Sequence, residues 1–202
     1  MTRLHLIRHG RPVVDASRTA SAWRLAADDE PFATLVAAPG FPRSNRWVSS
    51  SEPKAVDTAR RLRGLLGLSS DDVQHTRALG EMRRPAVLAD KAVFSRAVER
   101  SVENPAEPAA AGWETAESVL VRVRGEAVRC CEQALADGSP DVVLVGHGTA
   151  WSLLVAEILD RPVNIAAWQR MRMPDWCVLD VSIAAHRLTG SLIADWGGWP
   201  LR

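Results

Sequence analysis

Two stretches of the chain place an imidazole where chemistry is often done. Leu4-His5-Leu6-Ile7 runs directly into Arg8-His9-Gly10, and far downstream Val142-Val143-Leu144-Val145 runs into Gly146-His147-Gly148. Each is a short apolar run ending in histidine and glycine, the pattern of a buried strand that delivers a polar side chain at its end. Arg8 adds a fixed positive charge beside one imidazole. The helical pattern from Thr149 onward aims its N-terminal amides back at the same place, which suits an anion. Glycine after each histidine lets the backbone turn sharply and leaves room for a ligand. One such unit is more often a plain turn than a site. Two of them, one carrying an adjacent arginine, point to a shared site.

Lys54 and Glu81 are the next candidates. Lys54 stands in the first turn of a helix that begins near Pro53, with Ser51 placed as its cap. That helix carries Val56, Ala59, Leu62, Leu65 and Leu66 at three- and four-residue steps and stops at Gly67. A cation in the first turn opposes the helix dipole, and a bound phosphate would resolve the conflict; a solvated lysine is the plain alternative. Glu81 follows a short strand over 74–77 and Gly80, as the histidines follow theirs. It also stands beside Arg83 and Arg84, where a surface ion pair is the ordinary reading. Arg11, in the loop with Pro12, is read as facing water.

The elements that must position these residues follow from periodicity. Short, almost wholly apolar strands followed by helical patterns imply a parallel sheet covered on both faces. The carboxyl ends of such strands share the edge where open α/β sheets bind ligands. The expected fold is therefore α/β, a three-layer α/β/α arrangement with a mostly parallel central sheet, in one domain over 1–202. Helices are expected over 21–29, 86–102, 115–137 and 149–159, and a strand over 46–50. A half-buried or edge strand over 177–183 pairs with 192–194. In the 115–137 helix, Val119, Val123, Ala127, Cys130 and Ala134 form one side, with Arg122, Glu126, Arg129 and Glu132 mostly on the other. Residues 103–108 and the alanines after them read as an irregular, mobile loop, which makes 86–114 an insertion over the strand ends and a candidate lid.

Composition excludes several classes. Lysine plus arginine number 25 against 24 acids, so there is no electrostatic footprint for nucleic acid or an anionic membrane. The three cysteines, Cys130, Cys131 and Cys177, read as buried thiols in a reducing compartment rather than a disulfide framework. No charged-then-apolar leader and no long apolar stretch is present, so a cytoplasmic protein is expected. His5 lies inside an apolar strand, and His75 and His186 fall in unrelated segments. No pair has metal-ligand spacing, and no metal or cofactor is expected.

Arg8-His9-Gly10, Ser49-Ser50 with Lys54-Ala55 and Thr58-Ala59, Glu81 after a strand, and Gly146-His147-Gly148 together resemble the histidine phosphatase superfamily, also called the phosphoglycerate mutase-like family. The resemblance runs from Leu4 to about Leu159. It implies that His9 attacks phosphorus and becomes a phosphohistidine. It also implies that Arg8, His147 and Lys54 surround the phosphoryl oxygens. Glu81 would protonate the leaving oxygen and later take a proton from water. Two departures matter. Lys54 stands where most members have arginine, and it lacks the planar fork that grips phosphate with two bonds. Pro12 and Asp15 stand where the mutases have a hydroxyl residue and an asparagine.

The expected activity is metal-independent hydrolysis of a small phosphomonoester. The alternative is a catalytically weak member that binds a phosphorylated ligand or a partner, with a phosphoglycerate mutase ranked after both. Homodimerisation is left open.

Overall fold

The computed structural model describes residues 1–44, 46–84, 90–139 and 141–198. The chain runs β1 (Thr2–Arg8), α1 (Glu30–Val36), β2 (Trp47–Ser50), α2 (Pro53–Leu65), β3 (Val73–Thr76), α3 (Lys91–Glu103), α4 (Ala116–Ala136), β4 (Asp141–Gly146), α5 (Gly148–Ile158), α6 (Ile165–Arg170), β5 (Asp175–Ala184) and β6 (Arg187–Ala194). The strands form one sheet in the order β3-β2-β4-β1-β5-β6. The first four are parallel, and β5 and β6 close one side in antiparallel pairing.

Strand alternation builds the layers, because successive side chains face opposite ways. Leu4, Leu6, Val142 and Leu144 pack with Val119, Val123, Ala127 and Leu154 of α4 and α5. Ile7, Val143 and Val145 turn the other way and pack with Phe32 and Leu35 of α1 and with Ala55, Ala59 and Leu62 of α2. Burying both faces explains why these strands read as unbroken apolar runs. The α/β sandwich expected from the sequence is the fold observed. The expected helix stop at Gly67 holds, and α4 likewise ends before Gly138; the two glycines have positive φ, of 72° and 66°.

Several boundaries differ. No helix covers 21–29; a single 3-10 turn spans Ala20–Ala22, and the helix starts only at Glu30, with Pro31 in its first turn. Proline there is a starter, so the preceding acidic residues belong to the loop. The strand after β4 is not at an edge: β5 lies between β1 and β6, and β6 is the edge. Only the start of the expected 86–102 helix, 86–89, lies outside the described residues; α3 itself runs Lys91–Glu103. The segment after α3 is tied down. Ala109 and Trp113 are buried, Glu117 donates its N–H to the Pro105 carbonyl at 2.9 Å, and buried Glu114 bonds Arg122 at 2.9 Å.

Candidate functional site

The sheet register brings the candidate residues together. Arg8 lies opposite Gly146 in the β1–β4 pairing, and Ser49 lies opposite Val145 in the β2–β4 pairing, so three parallel strands end side by side. His9 extends the ladder by one bond, from its N–H to the Gly146 carbonyl at 2.9 Å. The rings of His9 and His147 consequently meet edge to face with centroids 5.0 Å apart. Arg8, His9, Lys54, Glu81 and His147 all line one cavity of about 300 Å³.

The glycines serve close approach rather than a sharp turn. A Cβ on Gly10 would stand 2.3 Å from Phe32, and one on Gly146 would stand 2.6 Å from the Trp151 indole. That indole donates its Nε1–H to the Ile7 carbonyl at 2.9 Å. On Gly148 a Cβ would press on the Arg8 guanidinium at 3.2 Å.

His9 is buried and locked in one tautomer. Its Nδ1 sits 2.7 Å from the Gly10 carbonyl, which can only accept, so Nδ1 carries the proton. In the neutral ring Nε2 then holds a free lone pair at the cavity. The ring stays neutral because burial, and then the neighbouring His147, Lys54 and Arg8, which disfavour a further positive charge, hold its pKa well below 6.5. Gly10 is itself fixed, its N–H donating to Thr58 Oγ1 at 2.9 Å, while Thr58 donates to the Lys54 carbonyl at 2.7 Å.

His147 is fully buried, and its Nε2 lies 3.0 Å from Ser50 Oγ. Among the described residues its Nδ1 is buried without a hydrogen-bond partner, as is Nε of Arg8. Orphaned buried groups of this kind call for an explanation, and both belong to residues that line the cavity. Burial first, then Lys54, Arg122 and Arg8, hold the His147 pKa well below 6.5. Arg8 Nη1 donates to the Met171 carbonyl at 2.8 Å, which anchors the guanidinium.

Lys54 is buried at 4% exposure, so the solvated alternative is wrong. Its ammonium donates to the Ala20 carbonyl at 2.7 Å and to the Glu52 carboxylate. Ser51 does not cap α2. Glu52 occupies the N-cap position without a side-chain cap bond, and Ser50 Oγ accepts the Glu52 N–H at 3.2 Å. Glu81 is no surface ion pair: Oε1 accepts the Met82 N–H at 2.9 Å, and Oε2 makes a longer contact, 3.4 Å, to the first-turn amide of Thr149 in α5. The anion at that helix end is therefore a side chain of the protein. Arg122, read as outward-facing, instead shapes the Glu81 loop, donating to the carbonyls of Ala78 and Gly80 at 2.7 Å and of Glu81 at 2.9 Å.

Arg11 is exposed, and Arg83 is 81% exposed and paired with Glu114. His5 and His75 lie away from the cavity, as does His186, which is 92% exposed. The three cysteines are free and buried. Among the described residues no cluster of His, Cys, Asp or Glu is arranged to hold a metal, and no helix is long and apolar enough to cross a membrane.

The family model of the histidine phosphatase superfamily (branch 1) matches residues 4–195. The chain belongs to this superfamily. No curated protein matches it. Among solved structures, mycobacterial glucosyl-3-phosphoglycerate phosphatase superposes with a TM-score of 0.74 at 24% identity, over 98% of this chain and 99% of that one. A phosphoglycerate mutase from Bacillus anthracis str. Sterne gives 0.68 at 17% identity, over 95% of this chain and 92% of that one. A phosphoserine phosphatase mutant from Entamoeba histolytica gives 0.61 at 13%, over 98% of both chains. At these identities the likeness establishes a shared fold.

Proposed function

We propose that this member hydrolyses a small phosphomonoester through a phosphohistidine on His9, with no metal. The observation that carries the reading is the His9 tautomer. With Nδ1–H spent on the Gly10 carbonyl, Nε2 keeps its lone pair at the cavity, and burial keeps it unprotonated. An oriented neutral imidazole is a competent nucleophile.

Nε2 attacks phosphorus, and the bond from phosphorus to the leaving oxygen breaks. Arg8, Lys54 and His147, which line the cavity, surround the phosphoryl oxygens, where charge stabilisation and positioning supply most of the rate. Glu81 gives its proton to the leaving oxygen through Oε2, the oxygen with the long contact to Thr149. Water then attacks the phosphohistidine, Glu81 takes a proton from it, and the N–P bond breaks to release inorganic phosphate. The mutase reading loses support at the cavity: Pro12 lines it without a hydroxyl, and Asp15 is engaged by Ser17 and Arg18 outside it. Phe94 of α3 lines the same cavity, with the Arg84 guanidinium 4.6 Å from its ring centroid, so we assign substrate choice to the 86–114 region.

The Lys54–Glu52 pair favours a second reading, a member that binds phosphorylated ligands and turns them over weakly. Steady-state hydrolysis of an aryl phosphate by the wild type and by His9→Ala, with and without chelator, separates the two. The phosphatase reading expects turnover by the wild type, none by the variant, and no effect of chelation. Undiminished hydrolysis by His9→Ala, or activity lost on chelation and restored by a divalent metal, overturns it.

A further inference from the structure

We propose that Glu52 is a positioning residue of the phosphate pocket: it fixes the direction of Lys54 and sets how tightly the pocket holds its anion. The kinetic part of this inference rests on the phosphatase reading, and the binding part does not. Glu52 directly precedes α2, where a carboxylate would ordinarily accept from first-turn amides, yet it makes no such bond. Its side chain is 13% exposed and lines the cavity instead. Oε1 accepts the Glu81 N–H at 2.9 Å and lies 3.4 Å from His147 Nε2, while Oε2 holds the Lys54 ammonium. One carboxylate thus touches the pocket's lysine, its second imidazole and the backbone of its proposed acid.

A lysine ammonium is a point charge on a flexible stem with three donors and no preferred plane. Here the Ala20 carbonyl and Glu52 take two of the three donors, which leaves one with a set direction for a phosphoryl oxygen. Glu52 also alters the charge. With His9 and His147 neutral, the cavity wall carries Arg8, Lys54, Arg83 and Arg84, and the Glu52 carboxylate offsets part of the positive charge that a phosphate dianion meets. Removing the Glu52 charge therefore moves two observables in opposite directions. Lys54 loses its direction, which slows turnover, and the pocket gains one unit of positive charge, which tightens phosphate binding. A purely structural role would weaken both together.

The test uses Glu52→Gln, whose amide oxygen can still accept the Glu81 N–H. Aryl phosphate kinetics give kcat, and calorimetric titration with inorganic phosphate gives affinity without turnover. The expected result is a kcat about tenfold lower with phosphate bound about threefold more tightly. A kcat within about twofold of wild type, or phosphate binding that is unchanged or weaker, overturns the proposal. If Glu52→Gln does not fold, Glu52→Asp keeps the charge and shortens the reach. It should lower kcat about tenfold at unchanged phosphate affinity, and unaltered kcat or weakened binding would again overturn the role. Should the wild type itself show no turnover, the phosphatase reading fails, and the calorimetric comparison alone decides the role of Glu52.

Discussion

His5 and His9 leave the same strand four residues apart, both buried, and they are used in opposite ways. His5 has partners on both ring nitrogens: Trp176 donates its Nε1–H to Nδ1 at 3.2 Å, and Nε2 lies 3.2 Å from Asp141 Oδ1. Its proton therefore sits on Nε2, and both nitrogens are committed to holding strands together. His9 carries its proton on Nδ1 and leaves Nε2 without a partner among the described residues. The difference comes from the sheet. His5 is flanked by β4 and β5 along its length, whereas His9 lies one bond beyond the paired strands, where the loops part and the cavity opens. A histidine inside the ladder has both nitrogens tied to neighbouring strands; the one just past its end is, in the proposed mechanism, the nucleophile.

Exchanging the two histidines' fates gives the largest expected effect. His9→Ala should abolish aryl phosphate hydrolysis while the melting temperature stays near that of the wild type, as steady-state kinetics and thermal unfolding will show. Lys54→Ala comes next. Removing one charge contact to the transition state, like losing one oxyanion donor, costs on the order of 3 kcal/mol, or roughly a hundredfold in kcat/KM. A loss below about twofold would mean that Glu52 neutralises Lys54 and that the pocket works through Arg8 and His147.

His5→Ala should show the reverse pattern. It strands the buried Trp176 N–H and releases Asp141, a cost of about 1–3 kcal/mol in stability, read by denaturant unfolding, with kcat unchanged. A fall in kcat comparable to that of His9→Ala would erase the distinction between the two positions.

The smallest effect is in pH. Burial holds the pKa values of His5, His9 and His147 below 6.5 in the folded chain, while the unfolded chain titrates near that value. Between the folded values and 6.5 the unfolded state binds more protons, so stability is complete above about 6.5 and declines as pH falls below it. Melting temperature should drop from pH 7 toward pH 5, and the acidic limb of kcat/KM should lie below an ordinary imidazole titration. A limb centred at 6.5 would contradict the burial of His9.

Much of this site is written in the sequence because its residues sit at element ends. An apolar run that stops at Arg8-His9-Gly10 and another that stops at Gly146-His147-Gly148 mark parallel strand ends, and parallel strand ends share one edge of the sheet. Lys54 was legible as an electrostatic oddity in a first turn, although its burial was not. Glu52 was hidden, because a glutamate just before a helix is ordinary, and only the fold shows its carboxylate turned away from the helix amides toward Lys54 and Glu81. Arg122 was hidden for a related reason. Its place in the polar half of α4 predicts solvent, but the Glu81 loop crosses that half and offers three carbonyls. From the sequence Gly10 reads as a turn with room for a ligand and Gly146 has no role of its own, since the space they leave for Phe32 and Trp151 depends on residues distant in the chain.

Reaction of His9 through Nε2 can be read directly. Wild-type protein is mixed with a phosphorus-labelled aryl phosphate, quenched in alkali within the first turnover and examined by phosphorus NMR. The expected product is a phosphoramidate that is stable to alkali, labile to acid, absent from His9→Ala and carried on Nε2. Label on Nδ1, or label retained by the His9→Ala protein, would contradict it.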